Sequence, residues 1–489
     1  MASVTDRPRT RLSPKQLREQ LRAARRQQAR KARTARRQLD RIHEQLPQPV
    51  RNVFDPLAPA FTRPTYHRFV VLALAAILTL GGHTIANLLR SLGPLAPGHP
   101  SSYHRVFSRD RWSAWTLAHR FAQKVLARFV PDGPIVRAAD DTVEEHPGPH
   151  VYGKGCHRDP VRSTHSFTAY RWGHKWVAVT VLVPMPWTTR RWALPLLMAL
   201  YQPEKENQRQ KRRHKTPSQL LRQMLRVLLR WFPDRTFVAT ADGDYATHEL
   251  AELATRYPRR LSFVSRFYPD AHLVTPPPPY AGKGRPRVKG DRLPRPAEVV
   301  QHTPTRQPLE VAWYGGGRRR VEVVTGTGLW YRSGRKLVPV LWVFVHDRTG
   351  THRDEDFFTT DLAMSPTRVI ETYTGRWNIE TTFQEMRSYL GLETTRGWSR
   401  NTVLRVAPCL FGLYTVVALL YADLPARSRR VRVVDWPGKS VVTFSDAITA
   451  VRRWLWVEWV FAIPGHREAF SKLRGPFRQI LLAGLAPPA

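Results

Sequence analysis

YTGRWNIETTFQEMRSYLGLE, residues 373–393, is the stretch that decides the fold and the chemistry of this chain. Four polar side chains follow one another at spacings of three, four and seven residues: Tyr373, Arg376, Glu380 and Arg387. On an α-helix they fall within a stripe of about 60°. The adjacent apolar stripe has the spacing of a core-facing helix and consists of Ile379, Phe383, Met386 and Leu390. The pattern predicts a helix over 367–392, anchored in a core, that presents a carboxylate flanked by cations and a phenol.

Two aspartates at the ends of predicted strands complete a set of three candidate carboxylates. The segment PIVRAADDT (134–142) leads into Asp141, and RTFVATADGDY (235–245) leads into Asp242. Together with Glu380 they can converge at the carboxyl ends of the strands. Three carboxylates suit Mg²⁺, and two such ions can activate an attacking oxygen and stabilise a leaving one. Asp140 points to the opposite strand face from Asp141, and either residue could be the ligand. Taken singly, each aspartate also suits a turn or a helix cap.

The rest of the pattern predicts an α/β protein. Between 131 and 267 the order β-β-β-α-β-α-β indicates a mixed sheet. In it, STHSFTAYRW and KWVAVTVLV are predicted to form a hairpin around Gly173, while RWALPLLMALY suits a strand or a helix. A Pro-rich, basic linker followed by alternating segments predicts an antiparallel β insertion over 268–366. The core then resumes at 367–400 with the helix of Glu380.

Helical regions are predicted at both ends of the chain. Residues 1–46 form a basic, helix-prone arm that cannot bury a core and is expected to order on a polyanion; a solubilising tail is the alternative. Residues 47–130 are predicted to be a helical DNA-binding domain, although a compact helical bundle has the same pattern as a helix-turn-helix. Residues 401–489 are predicted to be a helical C-terminal region.

The charge balance points to a polyanionic partner. The 489 residues include 78 Lys and Arg against 38 Asp and Glu, a formal net charge of +40. Nucleic acid is the first candidate and an anionic membrane surface the second. Two cysteines outside any metal-ligand spacing, and the lack of a secretory signal, favour a reducing cytoplasm, where DNA would place the protein at the nucleoid. The apolar runs 69–80 and 406–422 are predicted to be buried helices rather than membrane spans.

These motifs resemble a known family, the insertion-sequence transposases of the DDE, RNase H-like class. The similarity is to the branch with a Tyr-x2-Arg-x3-Glu-x6-Lys signature and a β insertion before the Glu. Tyr373, Arg376 and Glu380 match that signature, whereas Arg387 stands where the family has Lys. DDT at 140–142 resembles the first Asp motif and favours Asp141 as ligand, and TADGDYA resembles the second, at Asp242.

The resemblance implies a transposase that cuts transposon ends at inverted repeats and joins the freed 3′-OH to target DNA. It implies two Mg²⁺ ions, or Mn²⁺ in their place, double-stranded DNA as partner and a homodimer on that DNA. By this analogy Tyr373, Arg376 and Arg387 bind the phosphate of the end DNA. Aromatic residues of the insertion, Trp330 among them, could stack on an extruded base, although packing within the sheet suits each one individually. An RNase H-like nuclease or resolvase, and a DNA-binding protein that has lost catalysis, are the alternative functions.

Overall fold

The computed structural model describes residues 13–159, 162–280, 282, 284–429 and 441–487. Parts of the predicted basic arm (1–12), of the linker (281 and 283) and of the C-terminal region (430–440, 488 and 489) lie outside these ranges.

A cluster of helices precedes the sheet. Their bounds are α1 Pro14–Glu44, α2 Gln48–Phe54, α3 Arg63–Leu78, α4 Ile85–Leu92, α5 Pro100–Ser108 and α6 Ala114–Phe129. The long helix α1 starts with a capping box at Ser13 and Gln16, in which each side chain bonds the other residue's backbone N–H. Its buried apolar residues, Ala35, Leu39 and Ile42, all belong to its C-terminal third, which packs on α3. The described side chains of residues 13–34 are exposed.

One sheet of eleven strands forms the centre of the structure. The strands are β1 Ile135–Glu145, β2 Gly155–Arg158, β3 Tyr170–Pro184, β4 Arg191–Tyr201, β5 Phe237–Ala241, β6 Leu261–Arg266, β7 Leu273–Val274, β8 Gln307–Ala312, β9 Arg318–Trp330, β10 Val338–His346 and β11 Glu355–Thr359. The order β4-β3-β1-β5-β6 is antiparallel up to β1 and parallel from β1 to β6. The predicted RNase H-like mixed sheet is thereby confirmed as the fold class.

The inserted strands extend this sheet. β11 pairs antiparallel with β6, β10 pairs with β11, and β9 pairs with β10, while β7 and β8 pair along β9. The predicted antiparallel insertion is therefore continuous with the core sheet rather than stacked on it. The helices outside the N-terminal cluster are α7 Glu204–Arg209, α8 Pro217–Trp231, α9 His248–Thr255, α10 Pro296–Gln301, α11 Pro366–Gly375, α12 Asn378–Leu390, α13 Arg400–Asp423, α14 Ala426–Arg429, α15 Phe444–Leu455, α16 Pro464–Lys472 and α17 Gly475–Leu485.

The predicted hairpin around Gly173 is wrong. The glycine lies inside a single strand, β3. Residues 191–201, whose assignment was open, form β4, one of the antiparallel partners of β3. A Cβ at Gly173 would stand 2.0 Å from the backbone oxygen of Glu144. Glycine is needed here because β1 and β3 approach closely. The sequence alone does not distinguish this role from that of a glycine in a turn.

The helix α13 is the one described segment long and apolar enough to cross a membrane. It packs against β4 and α15, and 67% of its most apolar window is buried. Those contacts are typical of the core helix of a globular domain, which was the prediction for 406–422.

Candidate active site

Asp140 and Asp242 lie side by side, where the parallel pairing of β1 with β5 ends. The register between β1 and β5 pairs Ala139 with Ala241, so that the next residue on each side is an aspartate. Successive side chains of a strand point to opposite faces of the sheet. Asp140 therefore lies on the face covered by α12, and Asp141 lies on the other face.

Arg376 joins three carboxylates on the α12 face. Its Nη1 lies 2.5 Å from Oδ2 of Asp140, and its Nη2 lies 3.0 Å from Oε1 of Glu380. The same Nη2 is 3.6 Å from Oδ1 of Asp242. The arginine is buried, with 6% of its surface exposed. Burial opposes its charge, but Asp140, Asp242 and further neighbours outweigh that effect and raise the pKa of the guanidinium.

The two aspartates respond differently to this environment. Burial raises the pKa of Asp140 to about 7, even though Arg376 acts in the opposite direction. Burial also acts to raise the pKa of Asp242, but Arg376, the backbone N–H of Gly243 and the hydroxyl of Tyr373 lower it overall. The Tyr373 hydroxyl donates a hydrogen bond of 3.0 Å to Oδ1 of Asp242. One carboxyl of the pair is thus easily protonated, while the other stays ionised.

Asp141, which the sequence motif favoured, belongs to a different set of contacts. The hydroxyl of Tyr245 donates a 2.8 Å hydrogen bond to its Oδ2, and Nζ of Lys175 lies 2.9 Å from its Oδ1. The structure thus brings Asp140, rather than Asp141, beside Asp242 and Glu380, and the choice of the first metal ligand between the two stays a prediction. The alternation of strand faces makes the two positions exclusive. The strand also continues past Asp141 as far as Glu145, because β3 pairs with it along this length.

The signature residues do not share one continuous helix. α11 ends at Gly375 and α12 begins at Asn378, so that Tyr373 and Arg376 precede the break and Glu380 follows it. The predicted single helix over 367–392 is corrected accordingly. In the connecting turn, Trp377 N–H donates to Thr374 O and Glu380 N–H to Trp377 O, and both bonds are of the tighter i to i−3 type. The break brings Tyr373, Arg376 and Glu380 around the same point.

Arg387 lies apart from the carboxylates. Its guanidinium donates to the hydroxyl of Thr142, to the backbone oxygen of Val143 at 3.2 Å and to Oε1 of Glu393 at 3.1 Å. It thus connects α12 to β1 and to the loop after α12. Thr142 is two residues from Asp140 and on the same strand face, so that Arg387 braces the strand that carries the first carboxylate.

Trp330 is a core residue. Only 8% of its surface is exposed, and its ring centroid lies 5.5 Å from those of Phe267 and Phe358. The predicted stacking of Trp330 on a DNA base is corrected on this ground, because the packing leaves no free ring face. Trp313, with 7% of its surface exposed, is likewise buried.

The donor chemistry around Arg376 fits a hard divalent cation. Asp140, Asp242 and Glu380 supply carboxylate oxygens, the ligands that Mg²⁺ prefers. Among the described residues, however, no group of three or more His, Cys, Asp or Glu side chains stands ready to hold a metal ion. The reason is visible in the geometry: a guanidinium already occupies the space between the carboxylates and supplies the positive charge.

The fold and its adjacent strand-end aspartates define a class, the RNase H-like proteins. A family model described as "DDE superfamily endonuclease" matches residues 56–320, more than half of the chain, and the chain belongs to that family. Among solved structures, a piggyBac transposase synaptic complex with hairpin DNA matches with 9% sequence identity, over 90% of this chain and 83% of that chain, at a TM-score of 0.38. A similarity this low does not assign a role to the chain. No curated protein matches. The protein is thus a member of the DDE endonuclease superfamily.

Proposed function

We propose that this endonuclease is a DNA transposase that cuts transposon ends at inverted repeats and joins the freed 3′-OH to target DNA. The observation that carries the proposal is the convergence of Asp140, Asp242 and Glu380 on Arg376, where the parallel pairing of β1 with β5 ends. The family match supports DNA cleavage, but its matched residues end before Glu380.

Asp140, Asp242 and Glu380 would hold two Mg²⁺ ions, or Mn²⁺ in their place, and these ions supply activation of the attacking oxygen and charge stabilisation of the leaving one. The chain's own part is positioning. Tyr373 holds the carboxylate of Asp242 through its hydroxyl. Arg387 fixes β1 against α12 beside Thr142. Arg376, once released from the carboxylates, is placed to bind the phosphate of the end DNA, which is the role that the signature implies.

The helix α1 supports DNA as the partner. All but one of the Lys and Arg residues between 15 and 37 fall within an arc of about 140° around the helix, and Lys31 is the exception. The buried residues Ala35, Leu39 and Ile42 lie on the opposite side. The docked C-terminal third thus turns a one-sided basic face away from the protein body, where it can follow a phosphate backbone. We further propose that the protein acts in the cytoplasm, as a homodimer, on double-stranded DNA.

The test is cleavage and joining of DNA that carries the inverted repeats flanking the gene. We expect Asp140→Asn, Asp242→Asn and Glu380→Gln to abolish Mg²⁺-dependent cleavage and to leave DNA binding intact. Asp132→Asn, at an exposed carboxylate before β1, is the matched control and should cut normally. Asp141→Asn should retain cleavage.

Two outcomes would contradict the proposal. If Asp141→Asn were inactive and Asp140→Asn fully active, the first metal ligand would be Asp141, on the other face of the sheet. Cleavage without strand joining would instead indicate an RNase H-like nuclease or resolvase.

A further inference from the structure

A group of exposed aromatic side chains lies on the edge of the sheet that carries Asp140. Phe167, Tyr170 and Trp172 belong to the β2–β3 hairpin, and Trp398 follows α12; these four are called the aromatic patch. Trp172 is 61% exposed and Trp398 is 67% exposed. Burial of large aromatic rings is strongly favourable, so that several exposed rings on one edge mark a binding surface. The proposed active site, as described, makes no use of them.

The aromatic patch is on the same face of the sheet as the carboxylates. β1 and β3 pair with Asp140 opposite Ala178 and Glu144 opposite His174, so that even-numbered residues of both strands share a face. Tyr170 and Trp172 continue that face beyond Gly173. Six residues separate Trp172 from Ala178, which corresponds to about 20 Å along the strand. At 3.4 Å per base step, the patch lies roughly six base steps from the carboxylates.

Cations are interleaved with these rings. Nζ of Lys154 lies 5.8 Å from the ring centroid of Trp172, and Arg158 is the strand partner of Tyr170. The half-buried Tyr152 lies between the two parts of the patch: its backbone N–H bonds Trp398 O at 2.9 Å, and its backbone oxygen lies 2.9 Å from Nε2 of His174, two residues from Trp172. Its hydroxyl accepts a 2.7 Å hydrogen bond from Arg212, and the guanidinium of Arg400 lies 5.9 Å from its ring.

We propose that the aromatic patch stacks on unpaired bases of DNA whose backbone reaches the carboxylates around Arg376. The proposal deepens the transposase function and rests on it. Free ring faces beside cations suit single-stranded nucleic acid, because every base offers a flat face and every nucleotide a phosphate. A second copy of this chain would bring the same cations against Lys154, Arg158 and Arg400, and the like charges disfavour that occupant. Inside a fully paired duplex every base is already stacked on both faces, and only the terminal base pairs offer a free face.

The experiment compares two DNA substrates by fluorescence anisotropy, with the full chain in EDTA so that no strand is cut. One DNA is a blunt duplex, and the other is the same duplex with a short unpaired tail. Wild-type protein should bind the tailed DNA more tightly. Trp172→Ala should weaken binding to the tailed DNA about tenfold and leave the blunt duplex unchanged, with an unaltered salt dependence. Trp172→Phe, which keeps a ring, should recover most of the loss.

Phe477→Ala removes an equally exposed ring, 62% exposed, from α17 and should leave both affinities unchanged. The proposal is overturned if Trp172→Ala binds the tailed DNA as wild type does, or weakens both substrates equally. A change in the oligomeric state of Trp172→Ala, measured by sedimentation, would also overturn the proposal, since the patch would then be a contact between copies of the chain. If the patch proposal alone fails, the wild-type protein still cuts and joins DNA that carries the inverted repeats. If the transposase proposal fails, the wild-type protein does not cut and join that DNA, whatever its affinity for the tailed substrate.

Discussion

Replacement of Arg376 by glutamine should make this protein bind divalent metal more tightly. The guanidinium neutralises Asp140, Asp242 and Glu380 and lies between them. A divalent ion that enters must displace it. Glutamine removes the charge and has a shorter, polar side chain. The carboxylates then become free to bind the ion, at the cost of lower stability without metal.

The contacts set the size of the effect. Asp242 and Glu380 have side chains 42% and 46% exposed, and half-exposed ion pairs contribute at most about 1 kcal/mol each. The hydrogen bond to the more buried Asp140 is charge-assisted and contributes about 1.5–3 kcal/mol. Displacement of Arg376 therefore costs the wild type roughly 2–4 kcal/mol of metal binding energy. Since 1.4 kcal/mol is a factor of ten, Arg376→Gln should bind Mn²⁺ at least about tenfold more tightly.

The assay is calorimetric titration of Mn²⁺ into protein without DNA, together with thermal unfolding in EDTA and in excess Mn²⁺. Arg376→Gln should unfold at a lower temperature than wild type in EDTA and should gain more from Mn²⁺. Arg190→Gln is the matched control, because it removes a largely buried ion pair of 2.7 Å with Glu385 of α12, the helix that also carries Glu380. It should lose stability equally with and without metal. Unchanged Mn²⁺ affinity in Arg376→Gln would refute the reasoning.

Four further predictions follow from the same geometry. Deletion of residues 1–33 should weaken binding to all DNA sequences alike and flatten the salt dependence in a filter-binding assay, and selective loss of end recognition would contradict a purely electrostatic arm. Arg387→Lys should retain strand joining and Arg387→Ala should lose it, because the contact with Thr142 needs a donor; an active alanine variant would make Arg387 a surface charge. Burial raises the pKa of Asp140 to about 7, so that between about pH 4 and 7 the folded state binds a proton more tightly than the unfolded state. Protein without metal should therefore lose stability as the pH rises through this range, and Asp140→Asn should flatten the profile of unfolding free energy against pH. Trp330→Ala should lower the free energy of unfolding by about 3–5 kcal/mol, measured by chemical denaturation. Near-normal stability with impaired DNA binding would instead favour stacking of Trp330 on a base.

Much of the fold is encoded locally in this chain. Apolar runs followed by aspartate predict β1 and β5, because a buried strand needs apolar side chains; β5 ends before Asp242, whereas β1 continues to Glu145. The spacing of Ile379, Phe383, Met386 and Leu390 predicts the buried face of α12, and all four side chains are buried. The residue types of the site are also local information, since carboxylates and cations can be read directly from the sequence.

What only the tertiary structure decided is which of these residues meet. Strand alternation separates Asp140 from Asp141, but the choice between them depends on which face α12 covers, and that is set by contacts between residues more than 200 positions apart. The same holds for Gly173, whose role depends on the approach of β1, and for Trp330, which packs against Phe267 and Phe358. Local sequence determines periodicity and residue chemistry, whereas the partner of a side chain is determined by packing between distant segments.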